Sequence, residues 1–364
     1  MTQSTQPTSR APKPIEIAGI LLAAILAISS AGCGFTGESG NIRFFFETAE
    51  FGAKQPVAVN SHVTVNAYEN TSSGDSQSDE NSQDNPITLT DVTSSDSSIL
   101  EVTSVGTDGD NAFRLSANSP GTVDISVEGT TDGGTTITDS FSLSAAQAES
   151  IEFEHGCETG STPPFYLTEQ DHVIRMRLYS ADGDRLVGAG YRPVNIDGPG
   201  SDYSVATGIE QTDRLGITFG FQSGTVTVNS TIDDASIQLD ALSEASITEL
   251  DWFAASNGTP TLFPTSDSIG RIFPQFKGDG RLACNARVDL DYSVQTPDVC
   301  SVETQHLTTD FNWLTEVGHT QTAIAVTESS DDICEFDVSV PGTSLQVSET
   351  VQLDLAENGP DEQN

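Results

Sequence analysis

The chain is poor in positive charge. Its 364 residues hold 14 lysines and arginines against 54 aspartates and glutamates, a formal net charge of −40. Lysine occurs only at Lys13, Lys54 and Lys277. Because such a field repels phosphate backbones and anionic headgroups, nucleic acid is not expected as a partner. The acidic excess fits a surface that stays soluble in salty water, and it also fits one that collects divalent cations.

Recognisable catalytic motifs are missing as well. The five histidines show neither the spacing of a zinc protease nor a nucleophile-elbow serine nearby. The glycine phrases GAG (188–190) and GDGR (278–281) lack the spacing of a phosphate-binding loop and are predicted to be turns. No catalytic residue is therefore assigned, and the chain is predicted not to be an enzyme. A hydrolase with an unrecognised site is the alternative, which a polar pocket with convergent titratable groups would favour.

Helical periodicity is absent from the chain beyond residue 33. Instead, short stretches such as RFFFE (43–47) and TVDISVEG (122–129) alternate or cluster β-branched and aromatic residues. Turn residues separate them at short intervals, as is typical of sandwiches and barrels. The sequence predicts an all-β fold.

The N-terminus has the pattern of a secretory leader. Arg10 and Lys13 precede an uncharged run over residues 17–32, which is shorter than a membrane-spanning helix requires. The run ends in small residues, as does the apolar core of a cleaved signal peptide. Residues 1–32 are therefore predicted to be a signal peptide.

The end of this leader, Ser30-Ala31-Gly32-Cys33, resembles the lipobox of bacterial lipoproteins. The resemblance implies that Cys33 becomes the N-terminus and carries a covalent lipid, which attaches the protein to a membrane. Gly34 follows in place of an aspartate, which in this family implies the outer membrane. Residues 33–41 are predicted to be a flexible tether. The alternative is an ordinary cleaved signal with a coincidental cysteine.

Similar phrases recur about every hundred residues. The phrase SPGTVDISVEG (119–129) is similar to QSGTVTV (222–228) and, more weakly, to TAIAVTE (322–328). This spacing fits sandwich domains and exceeds the period of a solenoid. We predict three β-sandwich units over 42–147, 148–247 and 248–356, followed by a polar tail over 357–364.

The first and third units resemble bacterial Ig-like domains of the group 2 type. SSDSSILEVTSV (94–105) precedes PGTVDISV (120–127), and TPDVCSVE (296–303) precedes TAIAVTES (322–329). The resemblance implies tandem Ig-like sandwiches, which act as stalks or adhesive modules in known families. The middle unit lacks a counterpart to the serine-rich phrase. Within the first unit, residues 70–86 contain no large apolar residue and are predicted to form a long, disordered exposed loop.

Four cysteines remain besides Cys33, an even number for a secreted chain. Two disulfides are expected, and the sequence alone allows three pairings. We favour Cys300 with Cys334, which flank strands of one unit, and this choice leaves Cys157 with Cys284. Zinc is disfavoured, because the chain shows no second pair of closely spaced ligands.

Two acidic loops are candidates for weak calcium binding. Asp108 and Asp110 lie in TDGDN (107–111), and Asp182 and Asp184 lie in SADGDRL (180–186). Calcium takes several oxygen ligands from flexible loops, but neither loop has the full spacing of a twelve-residue calcium loop. Asp-Gly is also a preferred hairpin turn, and we favour that interpretation.

These observations predict a non-enzymatic, lipid-anchored protein of the cell envelope with a structural or adhesive role. Expected partners are the membrane, through the lipid, and an envelope or extracellular protein or glycan. A protein that faces the periplasm as a structural partner of an envelope complex is the alternative. No cofactor is expected apart from the candidate calcium.

Overall fold

The computed structural model shows an all-β chain built as three sandwich units. It describes residues 35–46, 55–70, 85–107, 109–157, 162–200, 202–205, 213–252, 269–307, 321–328 and 333–352. Within these ranges the only helix is a single 3-10 turn over Glu244–Ser246. The predicted boundaries at 147 and 247 both fall between strands.

The described residues of unit 1 form nine strands. They are β1 Phe35–Thr36, β2 Ile42–Phe46, β3 Val57–Ala58, β4 His62–Glu69, β5 Thr88–Ser94, β6 Leu100–Val105, β7 Ala112–Ala117, β8 Gly121–Thr130 and β9 Thr136–Ala146. One sheet has the order β1-β2-β4-β7-β6 and the other has the order β3-β9-β8-β5. Each pairing is antiparallel except that of β3 with β9.

This strand order is that of an immunoglobulin-type sandwich. Naming the strands A, A′ and B to G in chain order from β2 gives A-B-E-D in one sheet and A′-G-F-C in the other. Alternation in the sequence produces the core between the sheets. In β8, Val123, Ile125 and Val127 point inward while the residues between them are exposed, as the two-residue period of a strand requires.

Unit 2 has the same strand order as unit 1 in both of its sheets. Its strands are β10 Ser150–Glu154, β11 Phe165–Leu167, β12 Asp171–Tyr179, β13 Arg185–Leu186, β14 Val194–Asp197, β15 Ser204–Val205, β16 Arg214–Thr218, β17 Gly224–Ser230 and β18 Ser236–Leu242. The sheets are β10-β12-β16-β15, with β13 added beside β12, and β11-β18-β17-β14. The middle unit therefore has the Ig-type arrangement although it lacks the serine-rich phrase.

Unit 3 follows a variant of this plan. Its strands are β19 Glu249–Trp252, β20 Ile269–Ile272, β21 Pro274–Gly278, β22 Arg281–Leu282, β23 Asp291–Val294, β24 Cys300–Leu307, β25 Gln321–Glu328, β26 Ile333–Ser339 and β27 Gln346–Gln352. They form the sheets β19-β21-β22, β20-β25-β24 and β23-β26-β27. The predicted GDGR turn joins β21 to β22, with positive φ at Asp279 and Gly280, as a two-residue hairpin turn requires.

The residues expected to form a flexible tether include part of unit 1, so this expectation is corrected for residues 35–41. Phe35 pairs with Phe44 across β1 and β2, and its ring lies 5.1 Å from that of Phe141 and 5.8 Å from that of Phe46. An aromatic side chain that can reach the core gains more from packing there than from staying in solvent. Cys33 and Gly34 lie outside the described residues.

Other segments of the sequence prediction are also outside the described residues. These are the leader over 1–32, the tail over 357–364 and residues 71–84 of the predicted loop. The base of that loop is described: the Glu69 N–H donates to the Asn85 carbonyl at 2.9 Å, and Tyr68 bridges to Pro86. The loop therefore leaves and re-enters unit 1 at one place.

Candidate functional site

The acidic loops proposed for calcium lie in exposed turns. Asp110 is in the turn before β7, and Asp182 and Asp184 are in the turn between β12 and β13. That second turn is closed by its own main chain, since the Ser180 N–H donates to the Asp184 carbonyl at 2.9 Å. Asp108 is outside the described residues. Within the described part of the chain, no three His, Cys, Asp or Glu side chains are grouped closely enough to hold a metal ion.

The described residues also contain no helix with the length and apolarity needed to cross a membrane. What stands out in these residues is the way in which the three units are joined. Each joint uses main-chain hydrogen bonds and core residues that belong to both neighbours.

At the first joint, unit 2 adds a short stretch of main chain to unit 1. The Ala58 N–H donates to the Val187 carbonyl at 2.7 Å, and His62 and Ala189 exchange two main-chain hydrogen bonds of 2.9 and 2.7 Å. Val57 and Val187 lie in the core of unit 1, whereas Ala58 lies in the core of unit 2. The two cores are therefore interleaved.

Glycine at position 188 permits this close approach. Its φ is +123°, and a Cβ there would lie 1.9 Å from the Oγ of Ser61. Ser61 is itself buried and donates its hydroxyl to the Ala58 carbonyl at 2.6 Å. The phrase GAG (188–190), predicted to be a plain turn, thus takes part in the joint, because the strand register brings it against unit 1.

At the second joint, strand β11 serves two cores. Phe165 and Leu167 are buried in the core of unit 3, while Tyr166 between them is buried in the core of unit 2. The Cys284 N–H donates to the Phe165 carbonyl at 2.7 Å, and Phe165 forms a parallel bridge with Ala283. Because side chains of a strand alternate between faces, one strand of three residues can serve both units.

Polar contacts surround this joint. Arg281 of unit 3 donates to the Asp240 carboxylate at 2.7 Å and to the Pro164 carbonyl at 3.0 Å. Gln170 of unit 2 bonds to Arg287 of unit 3 in both directions, with the Arg287 N–H donating to the Gln170 side chain at 2.9 Å. Hydrogen bonds between charged groups are among the stronger ones in proteins.

The cysteines are paired as the sequence analysis favours. Cys157, which follows β10, is bonded to Cys284, which follows β22, so this disulfide crosses from unit 2 to unit 3. Cys300 in β24 is bonded to Cys334 in β26, so the other disulfide joins two sheets of unit 3. All four cysteines are buried.

The two joints lie at opposite ends of β12. The first involves Val187 and Ala189, which follow β13, the partner of the last residues of β12. The second involves Gln170, the residue before β12 begins. Unit 2 thus contacts unit 1 at one end of its sandwich and unit 3 at the other.

A buried histidine lies beside the second joint. His172 is 1% exposed, its Nε2 lies 2.8 Å from the Leu167 carbonyl, and its ring packs edge-on to Tyr166 and Phe219. Burial lowers the pKa of His172 to about 4, although the contact with Leu167 and the charge of Asp171 oppose this shift. His172 is therefore a neutral core residue at physiological pH.

A second buried polar group holds the start of unit 1. The Asp139 carboxylate, on β9, accepts N–H groups from Ser39 at 2.8 Å, Asn41 at 2.8 Å, Ile42 at 2.9 Å and Ser140 at 2.8 Å. Burial raises the pKa of Asp139, but the hydrogen bonds from Ile42, Ser39 and Ser140 together lower it by more, so the pKa lies below its usual value. Asp139 thus connects the segment after Cys33 to the last strand of the unit.

Sequence reasoning did not identify these contacts. The partners at the first joint are more than a hundred residues apart, and Asp139 is one acidic residue among 54. The continuous apolar run Phe165–Leu167 is the one local signal at the second joint, and it predicts a buried strand without indicating which unit that strand completes.

Comparison with known proteins gives no close relative. No protein-family model matches the chain, and no curated protein sequence matches it. Among solved structures, the Escherichia coli adhesin FdeC is 12% identical with a TM-score of 0.23, over 87% of this chain and 99% of that one. Domains 1–6 of the surface-layer protein SbsC are 12% identical with a TM-score of 0.30, over 89% of this chain and 40% of that one.

Invasin, a bacterial integrin-binding protein, is 13% identical with a TM-score of 0.24, over 87% of this chain and 60% of that one. At these TM-scores the likeness supports no conclusion about what this chain binds. The Ig-type assignment therefore rests on the strand order of the units themselves.

Proposed function

We propose that this protein is a non-enzymatic component of the cell envelope, anchored by lipid at Cys33, in which three Ig-type units form one stiff stalk. The observation that carries the proposal is the construction of the joints. Each one shares main-chain hydrogen bonds and core residues between neighbouring units. Relative motion of domains is expected unless their interface is large and hydrophobic, and here buried apolar residues of one unit lie in the core of the next.

The chemistry of the surface supports a stalk exposed to aqueous medium. A net charge of −40 keeps neighbouring copies apart and opposes adsorption to anionic headgroups. A lipid at Cys33 would then hold the chain at the membrane, with unit 1 nearest to it and unit 3 farthest along the chain. The outer membrane is the proposed location, and an extracellular protein or glycan is the proposed partner.

Protease shaving of intact cells tests the location, with Cys33→Ala as the matched variant. We expect the native protein to be cleaved on whole cells and the variant to leave the membrane fraction. If the native protein is cleaved only after the envelope is opened, the adhesive role is excluded and the partner lies inside. A Cys33→Ala protein that stays in the membrane fraction would refute the lipid anchor.

Small-angle X-ray scattering of the purified chain tests the stiffness. A stiff stalk gives a single maximum dimension that is the same at low and high salt, because the joints are held by buried contacts that salt screens little. A distribution of dimensions that broadens or narrows with salt would show that the units move independently, and the proposal of a stalk would fail.

A further inference from the structure

We propose that the disulfide between Cys157 and Cys284 carries tension past unit 2, so that unit 1 is the part of the stalk that yields when the protein is pulled. The inference adds a mechanical role to the proposed function and depends on it for its biological setting. Its structural basis is the position of the bond in the chain, which encloses a sequence separation of 127 residues.

The enclosed chain contains nearly all of unit 2. Cys157 follows β10, the first strand of that unit, and Cys284 follows β22 in unit 3. A pull applied at the two ends of the protein enters unit 2 through β10 and reaches Cys157. From there the covalent bond leads directly to Cys284, and the strands from β11 to β22 lie outside the path of the force.

The bond is built into the joint. Cys157 is 6% exposed and Cys284 is fully buried, and both lie in the core of unit 2. The main chain beside Cys284 is also held, since its N–H donates to the Phe165 carbonyl. A reductant in solution therefore reaches the sulfur atoms only after the joint opens.

The remaining units respond differently to tension. Unit 1 has no cysteine between residues 35 and 146, so its whole length is free to extend. In unit 3, the bond between Cys300 and Cys334 prevents the chain between them, a sequence separation of 34, from extending. Extension is thus concentrated in the unit that follows the proposed anchor at Cys33.

The two bonds hide different lengths of chain, which makes the inference measurable. At about 3.5 Å per extended residue, the separation of 127 corresponds to about 440 Å of hidden contour length. The separation of 34 within unit 3 corresponds to about 120 Å. Single-molecule force spectroscopy distinguishes these two values easily.

The experiment pulls residues 33–364, with Cys33→Ser and a handle at each end, so that no lipid is needed. We expect the oxidised chain to show one long step, from unit 1, whose residues 35–146 correspond to about 390 Å at about 3.5 Å per residue. The pair Cys157→Ser and Cys284→Ser adds a second long step of about 440 Å, and the matched control pair Cys300→Ser and Cys334→Ser adds about 120 Å. A second long step from the oxidised native chain would overturn the proposal.

A second measurement does not require a variant that folds. The native chain is held under tension, and a thiol reductant is added after unit 1 has extended. We expect a delayed step of about 440 Å as the bond between Cys157 and Cys284 is cleaved and unit 2 extends. Full reduction that adds only the step of about 120 Å from unit 3, or no step, would refute the bypass. Neither result depends on Cys33, whose role is tested separately by cell fractionation.

Discussion

Acid should weaken unit 2 through one buried histidine. His172 sits between Tyr166 and Phe219, and because the Leu167 carbonyl can only accept, Nε2 carries the proton of the neutral ring. The other ring nitrogen, Nδ1, is buried and has no hydrogen-bond partner in the described part of the chain. Protonation of Nδ1 would place a positive charge in an apolar cluster, where the hydrogen bond to the Leu167 carbonyl and, to a smaller extent, the charge of Asp171 oppose the effect of burial.

The size of the effect follows from the two pKa values. In the unfolded chain His172 has a pKa of 6.5, and in the folded unit its pKa is about 4. Between these values the unfolded chain binds a proton that the folded unit does not bind, so stability falls as the pH falls. The loss is about 2 kcal/mol at pH 5 and about 3 kcal/mol at pH 4, relative to neutral pH.

Hydrogen exchange of the amides in β12 and β16 measures the opening of unit 2 itself, which global unfolding of three units does not. The comparison is with His172→Gln, whose amide can still donate to the Leu167 carbonyl but does not titrate. We expect the opening free energy of the native protein to fall toward that of the variant by about 3 kcal/mol between pH 7 and pH 4. If the opening free energies of the native protein and of the variant change with pH in the same way across this range, His172 has the same pKa in the folded and unfolded states, and the argument is refuted.

Two further substitutions test the joint and the start of unit 1. Gly188→Ala should loosen the first joint by about 1–3 kcal/mol, because its Cβ would overlap the buried Ser61. The loosening should be seen as a larger radius of gyration in X-ray scattering. Gly183→Ala is the control, since its φ is also positive but no atom lies within 4 Å of its Cβ. An equal radius for both variants would show that the contact with Ser61 is unimportant. Asp139→Asn should speed exchange of the Ile42 amide by at least tenfold, since hydrogen bonds to a charged group contribute about 1.5–3 kcal/mol. In the native protein this protection should hold above pH 3.8 and be lost as the pH falls through the lowered pKa of Asp139, and protection that persists in the variant would refute the role.

Much of the architecture follows from local pattern. In β8 and β9 the alternation of apolar and polar residues is clear enough to predict both the strands and their buried faces. The Gly-Thr-Val phrase recurs in two units, where it opens the same strand, β8 in unit 1 and β17 in unit 2. Its expected counterpart in unit 3, TAIAVTE, lies in β25, which pairs with β24, whereas the strand that corresponds to β8 is β26, so this part of the repeat prediction is wrong. Strand order then follows from the few topologies that sandwiches adopt.

The joints could not be predicted in this way. Val187 and Ala189 bond to unit 1 through main-chain groups, and main-chain bonds leave no mark on residue type. The glycine at position 188 is visible in the sequence, but a glycine there is equally consistent with an ordinary turn. Likewise, the glycines and polar residues around Phe35 predict a flexible tether, because one aromatic side chain is too weak a signal to predict a strand.

Units 1 and 3 share one turn, and this turn aligns them. In unit 1 the Leu100 N–H donates to the Asp96 carbonyl at 3.2 Å, and in unit 3 the Cys300 N–H donates to the Thr296 carbonyl at 3.1 Å. Each turn leads into the strand that begins with the donor residue. Cys300 therefore occupies the place that the fully buried Leu100 has in unit 1.

The register of the opposite strand completes the comparison. The residue two positions before each turn lies opposite Ile125 in unit 1 and opposite Phe336 in unit 3. Counting back two residues places Cys334 where unit 1 has Val123, a buried core residue. The disulfide of unit 3 thus takes the positions of two buried apolar residues that lie on opposite sheets of unit 1. The same fold is cross-linked by a disulfide in unit 3 and has none in unit 1, as expected if tension is to be released beside the proposed anchor at Cys33.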